Sequence, residues 1–207
     1  MSHEIGSAPI AARSGAPPRT SKGALLARRS VAISLGAVAV ALAAQVVVPV
    51  PFSPVPMTLQ PLAVLGVGGI LGGAAGLSAL LLYLALGILG LPVFAAGGSG
   101  LVHLLGPTGG YLLAFPVAAG VTGALTGRTL VGPRRAEART LLRVLLACAL
   151  GMVIIHIGGV AQLAMLGGDP SLAFRVGFVP FLTGDLLKIG LAVALILAAG
   201  PKIRSLL

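Results

Sequence analysis

Asp185 and Lys188 are the residues whose types and spacing point most directly to chemistry. They interrupt an otherwise uncharged run from Phe178 to Gly200. An ionisable group inside an apolar segment long enough to span a bilayer is costly, usually paired and usually functional. Three residues apart on a helix, the two share one face and can touch. A carboxylate beside an ammonium offers acceptors and donors together, the set needed to hold a ligand presenting both N–H and C=O. The same pair could instead fix helix register as a structural ion pair. Replacing such pairs by apolar residues is often neutral or stabilising, so stability alone gives little reason to keep one. An ion-coupled carrier of a small metabolite would use both groups as a proton relay.

A second constellation is nucleophilic. Gly97-Gly98-Ser99-Gly100 fits the G-x-S-G pattern of rhomboid intramembrane serine proteases, and His156 lies in a span where it could serve Ser99 as base. Against this, four such letters recur by chance in a chain with 31 glycines, and Ser99 precedes Pro107 in a loop. His156 reads otherwise as a core histidine bonded to a neighbouring helix, and His103 as a loop residue. Neither has metal-ligand spacing to a second His or Cys. Cys148 is the single cysteine and lies in an apolar run, so no disulfide framework is available. No G-x-x-x-x-G-K-[ST] occurs, so active transport would draw on an ion gradient or on a partner.

These residues sit in a chain of 207 residues that is 57% hydrophobic and only 9% charged, with a mean hydropathy of +1.09. Four acidic residues (Glu4, Glu137, Asp169, Asp185) cannot solvate the surface of such a chain, which excludes a water-soluble globule. A net charge of +10 would suit nucleic acid, but there is no Trp and the basic residues fall between apolar spans. Residues 1–29, rich in Ser, Pro, Gly and basic residues, read as a disordered cytoplasmic tail; residues 30–207 form the membrane domain. Its uncharged stretches are Val31 to Val48, Leu62 to Leu91, Gly109 to Gly127, Leu145 to Gly168 and Phe178 to Gly200. The first, with its basic flank and Arg28-Arg29, also has the letters of a signal peptide, although a first span explains them equally.

Charge sets the number of crossings. The tail carries five basic residues, Arg128 to Arg143 five more, and Lys202 and Arg204 close the chain, which places 12 of 14 in three segments. All three should be cytoplasmic by the positive-inside rule. That parity requires Leu62 to Leu91 to make two spans, breaking around Gly72-Gly73 to Gly76, each short for a bilayer core of about 30 Å. The expectation is an all-α integral membrane protein of six helices with both termini cytoplasmic. Three segments then face outward: Pro49 to Gln60 with four prolines, the glycine-rich Pro92 to Thr108, and Gly168 to Gly177. On the first helix, Ala39 and Ala43 give the small-xxx-small spacing that lets another helix approach closely.

Four motifs, Pro54-Val55-Pro56-Met57-Thr58-Leu59-Gln60-Pro61, Gly90-Leu91-Pro92-Val93-Phe94, Gly106-Pro107-Thr108-Gly109-Gly110-Tyr111-Leu112 and Gly184-Asp185-Leu186-Leu187-Lys188, together resemble the BioY family. Its members are the biotin-specific S components of energy-coupling factor (ECF) transporters. The resemblance runs from about Val31 to Ala199. It implies a six-helix protein of the plasma membrane that captures biotin from outside and works with a transmembrane coupling subunit and two ABC ATPases. It implies no enzymatic step and no cofactor. Asp185 and Lys188 match the family's polar pair, with the carboxylate accepting from the ureido N–H groups and the ammonium donating to the ring carbonyl. Phe94 and Tyr111 would pack the rings, Gly97, Gly98 and Ser99 could donate near the ligand, and Arg175 or His103 would meet its carboxylate. Pro92 to Thr108 would close as a lid, and Ala39 and Ala43 would face the coupling subunit.

Overall fold

Apolar runs broken by Gly and Pro fold here into helices that reverse at each break. The computed structural model describes residues 22–130 and 137–207. In chain order these are α1 (Lys22–Ala44), β1 (Val47–Val48), β2 (Met57–Thr58), α2 (Gln60–Leu71), α3 (Gly73–Ile88), α4 (Leu101–Leu105), α5 (Gly109–Leu130), α6 (Glu137–Gly167), α7 (Pro170–Gly177) and α8 (Leu182–Arg204). Single 3₁₀ turns, Ala95–Gly97 and Val179–Phe181, lead into α4 and α8.

Four helical stretches are long and apolar enough to cross a membrane: Lys22–Ala44, Gly109–Gly127, Ala138–Gly167 and Pro170–Arg204, the last joining α7 and α8. Two shorter apolar helices, α2 and α3, occupy the stretch expected to break in two. The break falls at Gly72, whose φ of 93° suits a residue without Cβ. Gln60 at the start of α2 donates from Nε2 to the Tyr83 hydroxyl near the end of α3 at 2.7 Å, so the chain turns back on itself at Gly72. At about 1.5 Å per residue the two helices are about 18 and 24 Å long. α5 packs along α2, α3 and α6 and fills the middle of the bundle.

Three boundaries differ from expectation. α1 starts at Lys22, not after Arg29; Leu, Ala, Lys and Arg are strong helix formers, and extending an existing helix escapes the nucleation cost. The expected tail over residues 1–21 lies outside the described residues, as do Arg134 and Arg135. α6 starts at Glu137, which puts Arg139 and Arg143 on a helix and not in a loop. The expected outward loop Gly168 to Gly177 is mostly α7, because Asp169 Oδ1 accepts from Ser171 N at 2.9 Å and Leu172 N at 3.1 Å, with Pro170 in the first turn.

Tyr83, Phe94, Leu65, Leu80, Ile155 and Ile196 are fully buried. Leu26, Leu35, Leu42, Leu146 and Ile157 are more than half exposed on the outer faces of α1 and α6. An apolar exterior around an apolar core is what a lipid environment permits and water does not. At one end of the bundle Arg204 donates from Nη2 to the Gly69 carbonyl and to Thr126 Oγ1 (2.5 and 2.9 Å), and from Nε to the Ile70 carbonyl at 3.2 Å. It thereby satisfies carbonyls that the end of α2 leaves without helical partners. The cluster containing Asp185 lies at the other end.

Candidate ligand site

α8 begins just after the Val179–Phe181 turn, and this start brings Asp185 and Lys188 into its first two turns, each only 5% exposed. Lys188 Nζ donates to Asp185 Oδ1 at 3.0 Å, and the Nε2 of His156 on α6 lies 2.6 Å from Asp185 Oδ2. Each carboxylate oxygen therefore has one donor and retains lone-pair capacity, and the ammonium retains two N–H groups. Neutralising the carboxylate with the neighbouring ammonium is what makes either charge tolerable at this depth.

The cluster forms one wall of a small cavity of about 50 Å³. Its apolar lining includes Val55, Tyr111, Phe115, Ile155 and Phe181, and its polar lining Thr58, Gln60 and His103. The elements that meet there are the loop before α2, the starts of α2, α5 and α8, and the second half of α6. Gln60 is held in place, accepting from Thr58 at 3.1 Å while donating to Tyr83. Tyr111 gives its ring to the cavity and its hydroxyl to the Gly177 carbonyl at 2.5 Å. A mostly apolar lining with a few convergent polar groups is the composition of a site that orients a small ligand.

Two glutamines and a serine support the surrounding segments. Gln45 at the end of α1 accepts from the Gly97 N–H at 3.1 Å and donates to the Phe94 carbonyl at 3.3 Å. Gln162 on α6 donates to the carbonyls of Leu104 and Gly106 at 2.8 and 2.6 Å. Ser53 donates to the Val176 carbonyl at 2.8 Å, tying the proline-rich loop to α7. That loop is closed at its base by the antiparallel pairs Val47↔Thr58 and Val48↔Met57.

Of the residues expected at the site, Asp185, Lys188, Tyr111 and His103 line the cavity. Phe94 lies behind it, fully buried, with the His103 ring stacked on it at 5.4 Å and the Tyr83 ring edge-on at 5.5 Å. Gly97 and Gly98 are also outside the lining; the Gly97 N–H is taken by Gln45, and a Cβ at Gly98 would meet the His103 ring. Ser99 is outside it as well, so a Ser99–His156 dyad has no geometric basis: His156 is engaged by Asp185 instead. Arg175 stands exposed on α7. Ala39 is exposed and Ala43 half-buried on α1, away from the cavity. No group of three or more metal-ligating side chains occurs among the described residues.

Sequence reasoning did not anticipate Gln60 or Thr58, and it gave His156 a bond to a neighbouring helix without identifying Asp185 as the partner. Gln60 carried a usable signal, as an uncharged polar residue opening an apolar helix directly after a rigid proline-rich run. The His156 contact carried none, because it joins two helices 29 positions apart in the chain.

Comparison with known proteins gives the same answer from outside the site. The chain is 37% identical over 144 residues to a probable biotin transporter BioY of Pyrococcus horikoshii, spanning 70% of this chain and 80% of that one. It is 39% identical over 149 residues to the biotin transporter BioY of Thermotoga maritima, spanning 72% and 82%. The fold matches the crystal structure of the S-component for biotin from an ECF-type ABC transporter, with a TM-score of 0.74, 24% identity, and 87% of this chain and 94% of that chain covered. The chain is a multi-pass membrane protein, and with the profile of the BioY family matching residues 16–205, it belongs to that family.

Proposed function

We propose that this chain is the biotin-binding S component of an ECF-type uptake transporter, binding the vitamin without transforming it. The observation that carries the reading is the Asp185–Lys188 pair, buried and charge-balanced on the wall of a mostly apolar cavity in a chain of the BioY family. A ureido ring presents two N–H donors and one carbonyl acceptor. Asp185 accepts from a ring N–H and Lys188 donates to the carbonyl, while Tyr111, Phe115 and Phe181 pack the fused rings. His103 is the cationic candidate for the ligand carboxylate that lies on the cavity, which favours it over Arg175. The reading calls for no resident cofactor.

In this reading six helices cross the membrane, with α2 and α3 as the short pair and both termini cytoplasmic, so the cavity opens outward. Pro92 to Thr108 closes over it. Ala39 and Ala43 present small side chains on the exposed face of α1 to a transmembrane coupling subunit, which links the chain to two ABC ATPases. The test is isothermal titration of the purified, detergent-solubilised chain with biotin and with an analogue lacking the ureido group. Tight one-to-one binding of biotin alone is expected. Silence with both ligands, in folded protein free of co-purified biotin, would bring forward the ion-coupled carrier.

A further inference from the structure

Among the described residues, His156 Nδ1 is the buried side-chain nitrogen or oxygen that the fold leaves without a hydrogen-bond partner. The other ring nitrogen, Nε2, faces Asp185 Oδ2 at 2.6 Å. A carboxylate oxygen accepts, so Nε2 carries the proton, and in the neutral ring Nδ1 then carries a lone pair. Asp185 and Lys188 already balance one another, so a neutral imidazole completes the cluster without adding net charge to a poorly solvated site. The ring lines the cavity. Its aromatic surroundings cannot serve Nδ1. Phe178 and Tyr111 meet the ring edge-on at 4.9 and 6.1 Å, Phe181 lies tilted at 6.2 Å, and the Tyr111 hydroxyl is committed to Gly177. A buried acceptor in such a setting costs stability until a donor reaches it.

We propose that His156 Nδ1 accepts a hydrogen bond from one ring N–H of the bound ligand, so that three side chains read the ureido group. Lys188 donates to its carbonyl, Asp185 accepts from one N–H and His156 accepts from the other. The inference rests on the biotin reading and extends it: the two ring N–H groups are read by two different acceptors, one charged and one neutral. His156 also fixes Asp185 through Nε2, which couples the two.

Histidine geometry separates the two roles. Nε2 lies three bonds from Cβ, the position of a glutamine amide nitrogen, whereas Nδ1 lies two bonds from Cβ, where glutamine has no polar atom. His156→Gln therefore keeps a donor for Asp185 and removes the ligand's acceptor. The expected result is biotin binding about tenfold weaker, with the melting temperature of the biotin-free protein unchanged or higher. Unchanged affinity, or a fall in affinity matched by loss of biotin-free stability, would overturn the proposal. A second measurement stands without that variant: ¹⁵N NMR of wild-type protein labelled at its three histidines, with resonances assigned by substituting His3 and His103. Nδ1 of His156 is expected to be unprotonated without biotin and to move toward the frequency of a hydrogen-bonded nitrogen when biotin is added. A protonated Nδ1, or one unmoved in protein that binds biotin, overturns the inference alone; wild-type protein that binds no biotin removes the biotin reading as well.

Discussion

Asp185 receives two donors from two helices, and the cost of disturbing it follows from which partner is left behind. Removing one member of a buried ion pair strands the other charge and costs about 3–5 kcal/mol. Asp185→Ala and Lys188→Ala should each lower the stability of the biotin-free protein by about that amount and nearly abolish biotin binding. The double variant Asp185→Leu/Lys188→Met strands no charge, so it should return to within about 1–2 kcal/mol of wild-type stability while still failing to bind. Denaturation in detergent and titration of the same samples check both halves; biotin affinity within a few-fold of wild type in folded Asp185→Ala protein would remove Asp185 from the site. This pair was legible in the sequence because any charge stands out in an uncharged run. His156 was legible as a core histidine bonded to a neighbouring helix and His103 as a loop residue, but nothing in their local letters says that one bonds Asp185 and the other stacks on Phe94. Phe94 shows the converse: an aromatic next to a glycine-rich loop suggests a ligand contact, but its burial between Tyr83 and His103 makes it a support.

The break at Gly72 was legible because Leu62 to Leu91 is too long for one crossing and too apolar for a loop. α7 was not read, because its eight residues lie between Gly168 and Gly177 and make barely two turns, although Asp169 followed by Pro170 is a helix-start signal. Nor were the glutamines that hold the segment from Phe94 to Gly106, because their targets are backbone groups, which leave no mark in a sequence. Gln162→Ala removes two bonds to that segment, each worth about 0.5–1.5 kcal/mol. If the segment is the lid, biotin should dissociate about fivefold or more faster, seen by stopped-flow exchange, with the resting fold intact; an unchanged rate would assign the closing motion elsewhere. α1 allows a complementary prediction. Ala39 is exposed and Ala43 half-buried on a helix whose neighbouring outer residues Leu35 and Leu42 are also exposed. Ala39→Leu or Ala43→Leu should leave biotin affinity within about twofold and reduce co-purification with a coupling subunit, since a larger side chain holds two helix backbones apart. Equal loss of both would mean that α1 shapes the cavity.

For the molecule as a whole, charge and geometry make the same demand by separate routes. The positive-inside rule asks for an even number of crossings between the basic tail and Arg204, which the proposed two short passes of α2 and α3 supply. Gln60 and Tyr83 meet across that pair, so the chain leaves α3 at the end where it entered α2, however thin the pair is. Counting α1, α2, α3, α5, α6 and α8 as six passes puts Phe52 outside and Ser205 inside, whereas α2 and α3 as a single pass would put them on the same side. Phe52 is 97% exposed in the proline-rich loop, and Ser205 is exposed just after α8. Cys148, fully buried, is replaced by Ala to clear the background. In intact cells a membrane-impermeant maleimide should label Phe52→Cys at once and Ser205→Cys only after permeabilisation. Labelling of both from outside would make α2 and α3 one pass. The reverse pattern would turn the cavity toward the cytoplasm, where it could not capture biotin arriving from outside.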